Sequence, residues 1–286
     1  MWFMSFRAYL VVMKYLKSIN NNIVSAIDDE GNEVILMGKG LGFNAKSSKK
    51  IDEKNIEKVF RMHSQNEMDA LKNLWLNMPL EYIEVTDEII KYANSFLEID
   101  LNQNIYITLT DHINFAIMRY KENMIFENAL LMEVRRFYKK EYLVGEYALK
   151  LIEKRLGVKF NKDEAASIAF HIINAEYNST INETLKITRL VGSIVRESEM
   201  FIDRKIDPES IFYERFITHI KFLLQRLSRH EEKTELGIEF VNTIKNLCKD
   251  EYEFAEKIAE IIKEHQNYDL SVEDKSYIAL HLKQMK

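Results

Sequence analysis

Four histidines fall into two matched pairs. His112 lies in "LTDHINFAI" and His171 in "DEAASIAFHI"; His219 lies in "RFITHIKFLL" and His281 in "KSYIALHL", so the two pairs are separated by nearly equal lengths of chain. The stretch from Lys139 aligns without a gap on the stretch from Lys249, setting Glu141 on Glu251, Tyr142 on Tyr252 and His171 on His281. Upstream, at a slightly shorter offset, "DHINFAI" matches "THIKFLL" and sets His112 on His219. Packing alone does not require histidine at two matched places, since leucine or tyrosine fills the same space. Imidazole titrates near neutrality and serves as a metal ligand, a general base or a nucleophile that carries a phosphoryl group. His63, His230 and His265 fall outside the pairing.

The surroundings separate these chemistries. A dinuclear metal site in a helical bundle uses Glu-x-x-His spacing, which the chain lacks, as it lacks His-x-x-x-His. No Gly-x-Ser-x-Gly elbow is present, and Cys248, the single cysteine, precludes a multi-cysteine zinc site or an internal disulfide framework. Phosphoryl acceptance fits best. Asp111 is placed to orient His112, and Arg119, two helical turns on, is placed to meet an added phosphate. A charge of roughly −1.5 to −2 arriving at a packed helix surface would act as a switch. A four-histidine metal or phosphocarrier protein stands as the alternative.

The segments that carry these residues are helical. From about residue 68, apolar side chains recur at spacings of three and four, as in "DEIIKYANSFLEI" and "EYALKLIEKRLGV". Thr86, followed by Asp87 and Glu88, reads as a helix N-cap. Asn161 with Glu164, and Ser271 with Asp274, occupy cap and N3 positions. Linkers are expected near residues 61–72 and 178–187.

The N-terminal region has a different texture. "NNIVSAI" and "NEVILMG" are β-branched runs joined by "DDEGN", in which Gly31 supplies a turn, so a hairpin is expected. Next, "GKGLGF" places three glycines in five positions, allowing close backbone approach. The polar "SSKKIDEKNIEKVFRM" reads as one more strand or a linker. Between Lys14 and Phe60 there are eight basic and seven acidic side chains, and the whole chain carries −5, so bulk charge does not select a polyanion as partner. The first twelve residues, "MWFMSFRAYLVV", carry a single charge at Arg7 and no small-residue cleavage site, and are expected to be an overlong start ahead of Met13 rather than a signal peptide. No run reaches the roughly 18 apolar residues of a membrane span.

"MKYLKSINNNIVSAI", "GNEVILMGKGLGF", "LTDHINFAI", "NALLMEVRRFY", "DEAASIAFHIINAE" and "RFITHIKFLLQRL" together, and in this order, resemble the BglG/SacY-type transcriptional antiterminators from Met13 onward. The resemblance implies a multi-domain α+β chain: a small antiparallel β RNA-binding domain at residues 13–72, then two homologous all-α helical-bundle regulation domains at 73–178 and 179–286. It implies a cytoplasmic, non-enzymatic homodimer without a cofactor. Such a protein holds an RNA hairpin in a leader mRNA and so prevents termination upstream of sugar-utilisation genes. It further implies His112, His171, His219 and His281 as phosphoacceptors. The implied donors are a sugar permease (enzyme II), acting on the first domain as an off signal, and HPr, acting on the second as an on signal. On this reading Lys17, Asn20, Asn21, Asn22, Gly38, Lys39, Gly40 and Phe43 bind RNA, with amides on base edges and an aromatic ring for stacking. Thr218 departs from the pattern where the first half has Asp111. A DNA-binding sugar-responsive activator would need an N-terminal helix-turn-helix, which the glycine-rich hairpin opposes.

Overall fold

The computed structural model describes residues 13–229, 231 and 238–286. The expectation for residues 1–12 lies outside the described residues, as does His230. The chain divides into two compact units, one comprising the chain up to Glu127 together with Lys140–Asn178, the other Asn128–Lys139 together with Ser179–Lys286.

The first unit opens with a four-stranded antiparallel sheet in sequential order, β1 (Lys14–Ser18), β2 (Ile23–Ile27), β3 (Glu33–Met37) and β4 (Lys58–Phe60). β2 and β3 form the expected hairpin, in register from Ile23 opposite Met37 to Ile27 opposite Glu33, with Gly31 at φ +89° in the turn. The polar stretch after the glycines yields the short β4, paired on β3. Helix α1 (Leu41–Ser48) was not legible in the sequence; it starts from Gly40 in the left-handed conformation.

Both faces of the sheet are covered, so its central strands are apolar on both sides rather than alternating. Val24, Ala26, Val34 and Leu36 pack with Leu41 and Ala45 of α1. Ile23, Ile35, Met37 and Phe60 point the other way, into a core built with α2 (Gln65–Leu76), α3 (Leu80–Leu97), α4 (Ile105–Lys121), α6 (Lys139–Leu156) and α7 (Lys162–Tyr177). Phe60 is wedged edge-on between Trp75 and Tyr106, with centroids 4.8 and 4.9 Å away. Most of the segment expected as a linker at 61–72 is therefore helix, because Met68, Leu71 and Trp75 bury against this sheet face.

Thr86 is not a cap. α3 begins six residues earlier, after Pro79, and Thr86 is a buried mid-helix residue whose Oγ1 donates to the Tyr82 carbonyl oxygen at 2.8 Å. Asp87 then faces inward. Its carboxylate accepts from Lys58 of β4, from Lys91 at 2.6 Å and from the Tyr106 hydroxyl at 3.0 Å. Burial works to raise this carboxyl, but the hydrogen bonds from Lys58 and Lys91 outweigh it and hold it below the ordinary value. A depressed folded value stabilises above the unfolded carboxylate range near 4, and the gain is lost as pH falls through the folded value. Removing one partner of a buried pair strands the other, so Asp87→Ala is expected to cost about 3 kcal/mol at pH 7. Thermal melts from pH 7 to pH 3 should show the difference from the parent shrinking as the pH drops; a difference independent of pH would contradict this.

The second unit contains α5 (Leu131–Phe137), α8 (Ile181–Ile202), α9 (Ile211–Ser228), α10 (Ile238–Leu247), α11 (Lys249–Gln266) and α12 (Val272–Met285). The second expected linker, 178–187, is likewise mostly helix: α8 starts at Ile181 behind a complete capping box of Thr180 and Glu183. α5 is tied to α8 by Arg136 on Glu199 at 2.8 Å and to α9 by Lys221 Nζ donating to the Phe137 carbonyl oxygen at 3.0 Å. No described helix is long and apolar enough to cross a membrane.

Candidate RNA interface and paired-histidine sites

Two loops of the sheet lock together at one edge. The glycine-rich stretch at residues 38–43 donates two backbone hydrogen bonds to the turn at Asn20–Asn22, Gly38 N to the Asn22 oxygen at 3.0 Å and Phe43 N to the Asn21 oxygen at 2.9 Å. Asn22 Oδ1 accepts from Gly40 N at 2.7 Å. Gly42 is obligatory here, since a Cβ would lie 1.9 Å from the Asn20 carbonyl oxygen; at Gly38 it would lie 1.8 Å from that of Asn55. The close approach expected of the glycines is thus to the chain's own backbone at both positions.

This clasp sorts the candidate RNA ligands. Asn20 is a turn residue: its Oδ1 accepts from Asn22 N and its Nδ2 donates to the Trp75 carbonyl oxygen. Gly38 is buried, and Gly40 spends its N–H on Asn22. Lys17, Asn21, Lys39 and Phe43 are exposed, Phe43 to 68%. A phenylalanine in the first turn of α1, with a lysine and an asparagine amide exposed on the segments it is clasped to, offers a stacking face, a phosphate partner and a base-edge partner together.

The histidines come together as the repeat requires. On α4, Leu109, Ile113, Ala116 and Ile117 supply the buried stripe and His112 lies at its margin. On α7, Asn161 caps the Glu164 N–H at 3.4 Å, and His171 lies two turns beyond among buried residues. The rings of His112 and His171 stand 4.7 Å apart between centroids, and those of His219 on α9 and His281 on α12 stand 5.0 Å apart. Burial, helped by the nearby His112 charge, pushes His171 down to about 3, so it is neutral at physiological pH. Burial, with Arg215 nearby, also lowers His281.

Asp111 does not orient His112. It lies on the exposed side of α4, with no hydrogen bond or ion pair among the described residues. The carboxylate at this imidazole is Glu164, whose Oε2 is 3.1 Å from His112 Nε2, while its Oε1 accepts from Arg119. Arg119 lies over the rings of Phe115 and Phe126 at 4.7 and 4.5 Å. Burial alone would raise the Glu164 carboxyl; hydrogen bonding and charge from His112 and Arg119 hold it below its ordinary value. The second site repeats the device: Arg226 grips Asp274 at 2.9 and 2.8 Å, while Ser271 caps the Asp274 N–H at 3.1 Å.

Glu164 and Asp274 were concealed by their cap positions. The backbone of each serves the cap and the carboxylate turns inward. The repeat did contain the signal, because each arginine follows the first histidine of its pair by seven positions and each carboxylate precedes the second by seven.

A small sheet whose flanking helix presents an exposed aromatic side chain, followed by two helical domains with paired histidines, defines a class of RNA-binding regulator. The chain matches the CAT RNA binding domain over residues 13–69 and the PRD domain over residues 87–175 and 192–284. It belongs to the BglG/SacY-type transcriptional antiterminator family. Among its relatives, transcription antiterminator LicT of Bacillus subtilis (strain 168) is 37% identical over 273 residues, covering 96% of this chain and 99% of LicT. The beta-glucoside operon antiterminator of Dickeya chrysanthemi is 34% identical, covering 96% of this chain and 97% of that protein. The crystal structure of GlcT CAT-PRDI is similar over 57% of this chain and 98% of its own, at 30% identity and a TM-score of 0.52.

Proposed function

We propose that this protein binds an RNA hairpin in a leader transcript through Lys17, Asn21, Asn22, Lys39 and Phe43, and thereby keeps an overlapping terminator from forming ahead of sugar-utilisation genes. On this reading it works as a cytoplasmic homodimer and a regulator, without catalytic turnover. Its domains run 13–72, 73–178 and 179–286. The sugar permease and HPr deliver phosphoryl groups to His112 and His171, and to His219 and His281, respectively.

The observation that carries the reading is the exposed Phe43 ring, held beside Lys39 and Asn21 by the Asn22–Gly40 clasp. An exposed phenylalanine in the first turn of α1 stabilises nothing inside the chain, and its flat face suits a splayed base. Base stacking is worth about 1–3 kcal/mol. Phe43→Ala in the full-length protein is therefore expected to weaken binding to the hairpin upstream of its own operon by roughly 5- to 150-fold. The measurement is a titration against that RNA beside duplex DNA of the same sequence. Equal affinity for both nucleic acids, or no loss in the variant, would overturn the reading.

A further inference from the structure

The two imidazoles of the first domain expose different nitrogens. His112 turns its Nε2 inward, buried and 3.1 Å from Glu164 Oε2, while its Nδ1 is neither buried nor bonded by any described residue. His171 does the opposite: its Nδ1 is buried without a partner, and Nε2 is the nitrogen with surface. His281 shares the second arrangement, with Nδ1 buried and partnerless.

We propose that the paired histidines of the first domain accept phosphoryl groups on different nitrogens, His112 on Nδ1 and His171 on Nε2, with Glu164 as the positioning residue that sets the outcome at His112. The proposal rests on the phosphoacceptor reading above and adds its regiochemistry. Glu164 is itself fixed by Arg119, so the carboxylate is a rigid acceptor rather than a mobile one. Its Oε2 lies 3.1 Å from Nε2 and keeps that nitrogen turned inward, which leaves Nδ1 facing outward.

The transfer then balances simply. The Nδ1 lone pair attacks the phosphorus of a phosphohistidine donor, the new N–P bond forms as the donor's P–N bond breaks, and the donor imidazole leaves with that electron pair and takes a proton from water. His112 becomes an Nδ1-phosphoryl imidazolium that retains its Nε2 proton. The positive charge that develops on the ring lies against Glu164, where a preorganised carboxylate stabilises it. No carboxylate lies against His171 as an ion pair among the described residues; the residue is 8% exposed, and in this proposal it enters the reaction through its Nε2.

The test uses full-length protein in which His171, His219 and His281 are all replaced by alanine, so that His112 is the sole member of the four. It is phosphorylated with phosphoramidate, which needs no docking surface, and separately with the phosphorylated sugar permease, and the isomer is read by phosphorus and nitrogen NMR. The expected product is Nδ1-phosphohistidine from both donors. Glu164→Gln, which keeps a hydrogen-bond acceptor but loses the charge, should retain that isomer and react about tenfold more slowly. Glu164→Ala should release the ring and give the Nε2 isomer. Nε2-phosphohistidine at His112 with Glu164 intact overturns the assignment of nitrogens alone. A folded protein that acquires no phosphate on His112 from either donor overturns the phosphoacceptor reading, and this assignment with it.

Discussion

Gly42→Ala is expected to abolish hairpin binding while leaving the helical circular dichroism of the protein in place. The added methyl would sit 1.9 Å from the Asn20 carbonyl oxygen and 3.0 Å from that of Ile23, both backbone atoms that cannot rotate aside. Relief requires the Asn20–Asn22 turn to move off the 38–43 loop. That movement breaks Phe43 N to the Asn21 oxygen, Gly40 N to Asn22 Oδ1, and the 2.7 Å bond that Ser18 Oγ donates to the Gly42 oxygen. Overpacking of this kind costs about 1–3 kcal/mol, and each lost hydrogen bond adds about 1 kcal/mol. The loops that carry Phe43, Lys39 and Asn21 would lose their relative placement, so RNA affinity should fall by more than about 100-fold. Gly31→Ala is the matched control. Its Cβ meets nothing within 4 Å, and only its φ of +89° is strained, so it should lower stability by about 1–2 kcal/mol and leave RNA affinity unchanged. Full affinity in Gly42→Ala, measured by fluorescence anisotropy with a labelled hairpin, would show that the clasp does not organise the interface.

The same clasp explains what the sequence disclosed and what it hid. The hairpin was legible because Gly31 separates two β-branched runs, and that is a local signal. The reason for Gly38 and Gly42 was not, because the atoms that forbid a side chain belong to Asn55 and Asn20, both remote from those glycines along the chain. Helix α1 was hidden by its own composition, since "LGFNAKSS" has a glycine inside and few apolar positions to set a period. Asp87 looked like part of a helix start until Lys58, on a strand far earlier in the chain, gave it a buried partner. The four histidines were legible because duplication turns a weak motif into a matched pair, and Arg119 was legible from its place two helical turns beyond His112; Arg226, its counterpart in the second half, was missed. The carboxylates were equally duplicated, but a cap at N3 is a sufficient local explanation for an acidic residue, and nothing local signals that its side chain turns inward. The repeat sets α5 against α10 in sequence, yet α5 folds with the second unit, through contacts to Glu199 and Lys221 that no local pattern announces.

His171→Ala and His281→Ala are expected to act in opposite directions on readthrough of a terminator reporter. Without the inducing sugar, His171→Ala should raise readthrough roughly tenfold toward the induced level, while His281→Ala should hold it low even with the sugar. The electrostatics at each pair make the phosphate a strong lever. In the first domain the rings are 4.7 Å apart and Glu164, already ionised, lies beside His112. Two unit charges at about 4 Å interact by about 4 kcal/mol in a partly buried setting, and the phosphoryl group brings nearly two. Repulsion of that size is relieved if Arg119 leaves Glu164 for the phosphate, which frees the carboxylate and shifts α4 against α7. In the second domain the corresponding grip is the bidentate pair of Arg226 on Asp274, which joins α9 to α12. Each phosphate would thus act on the link between the two helices that carry its pair. On the proposed reading the signs differ because the permease's transfer to the first domain is the off signal and HPr's transfer to the second is the on signal, so loss of one acceptor cannot stand in for loss of the other. Reporter activity with and without the sugar, in strains carrying each variant at equal protein level, reads the two signs directly. Changes in the same direction from both variants would sink the division of labour between the domains while leaving the RNA-binding reading intact.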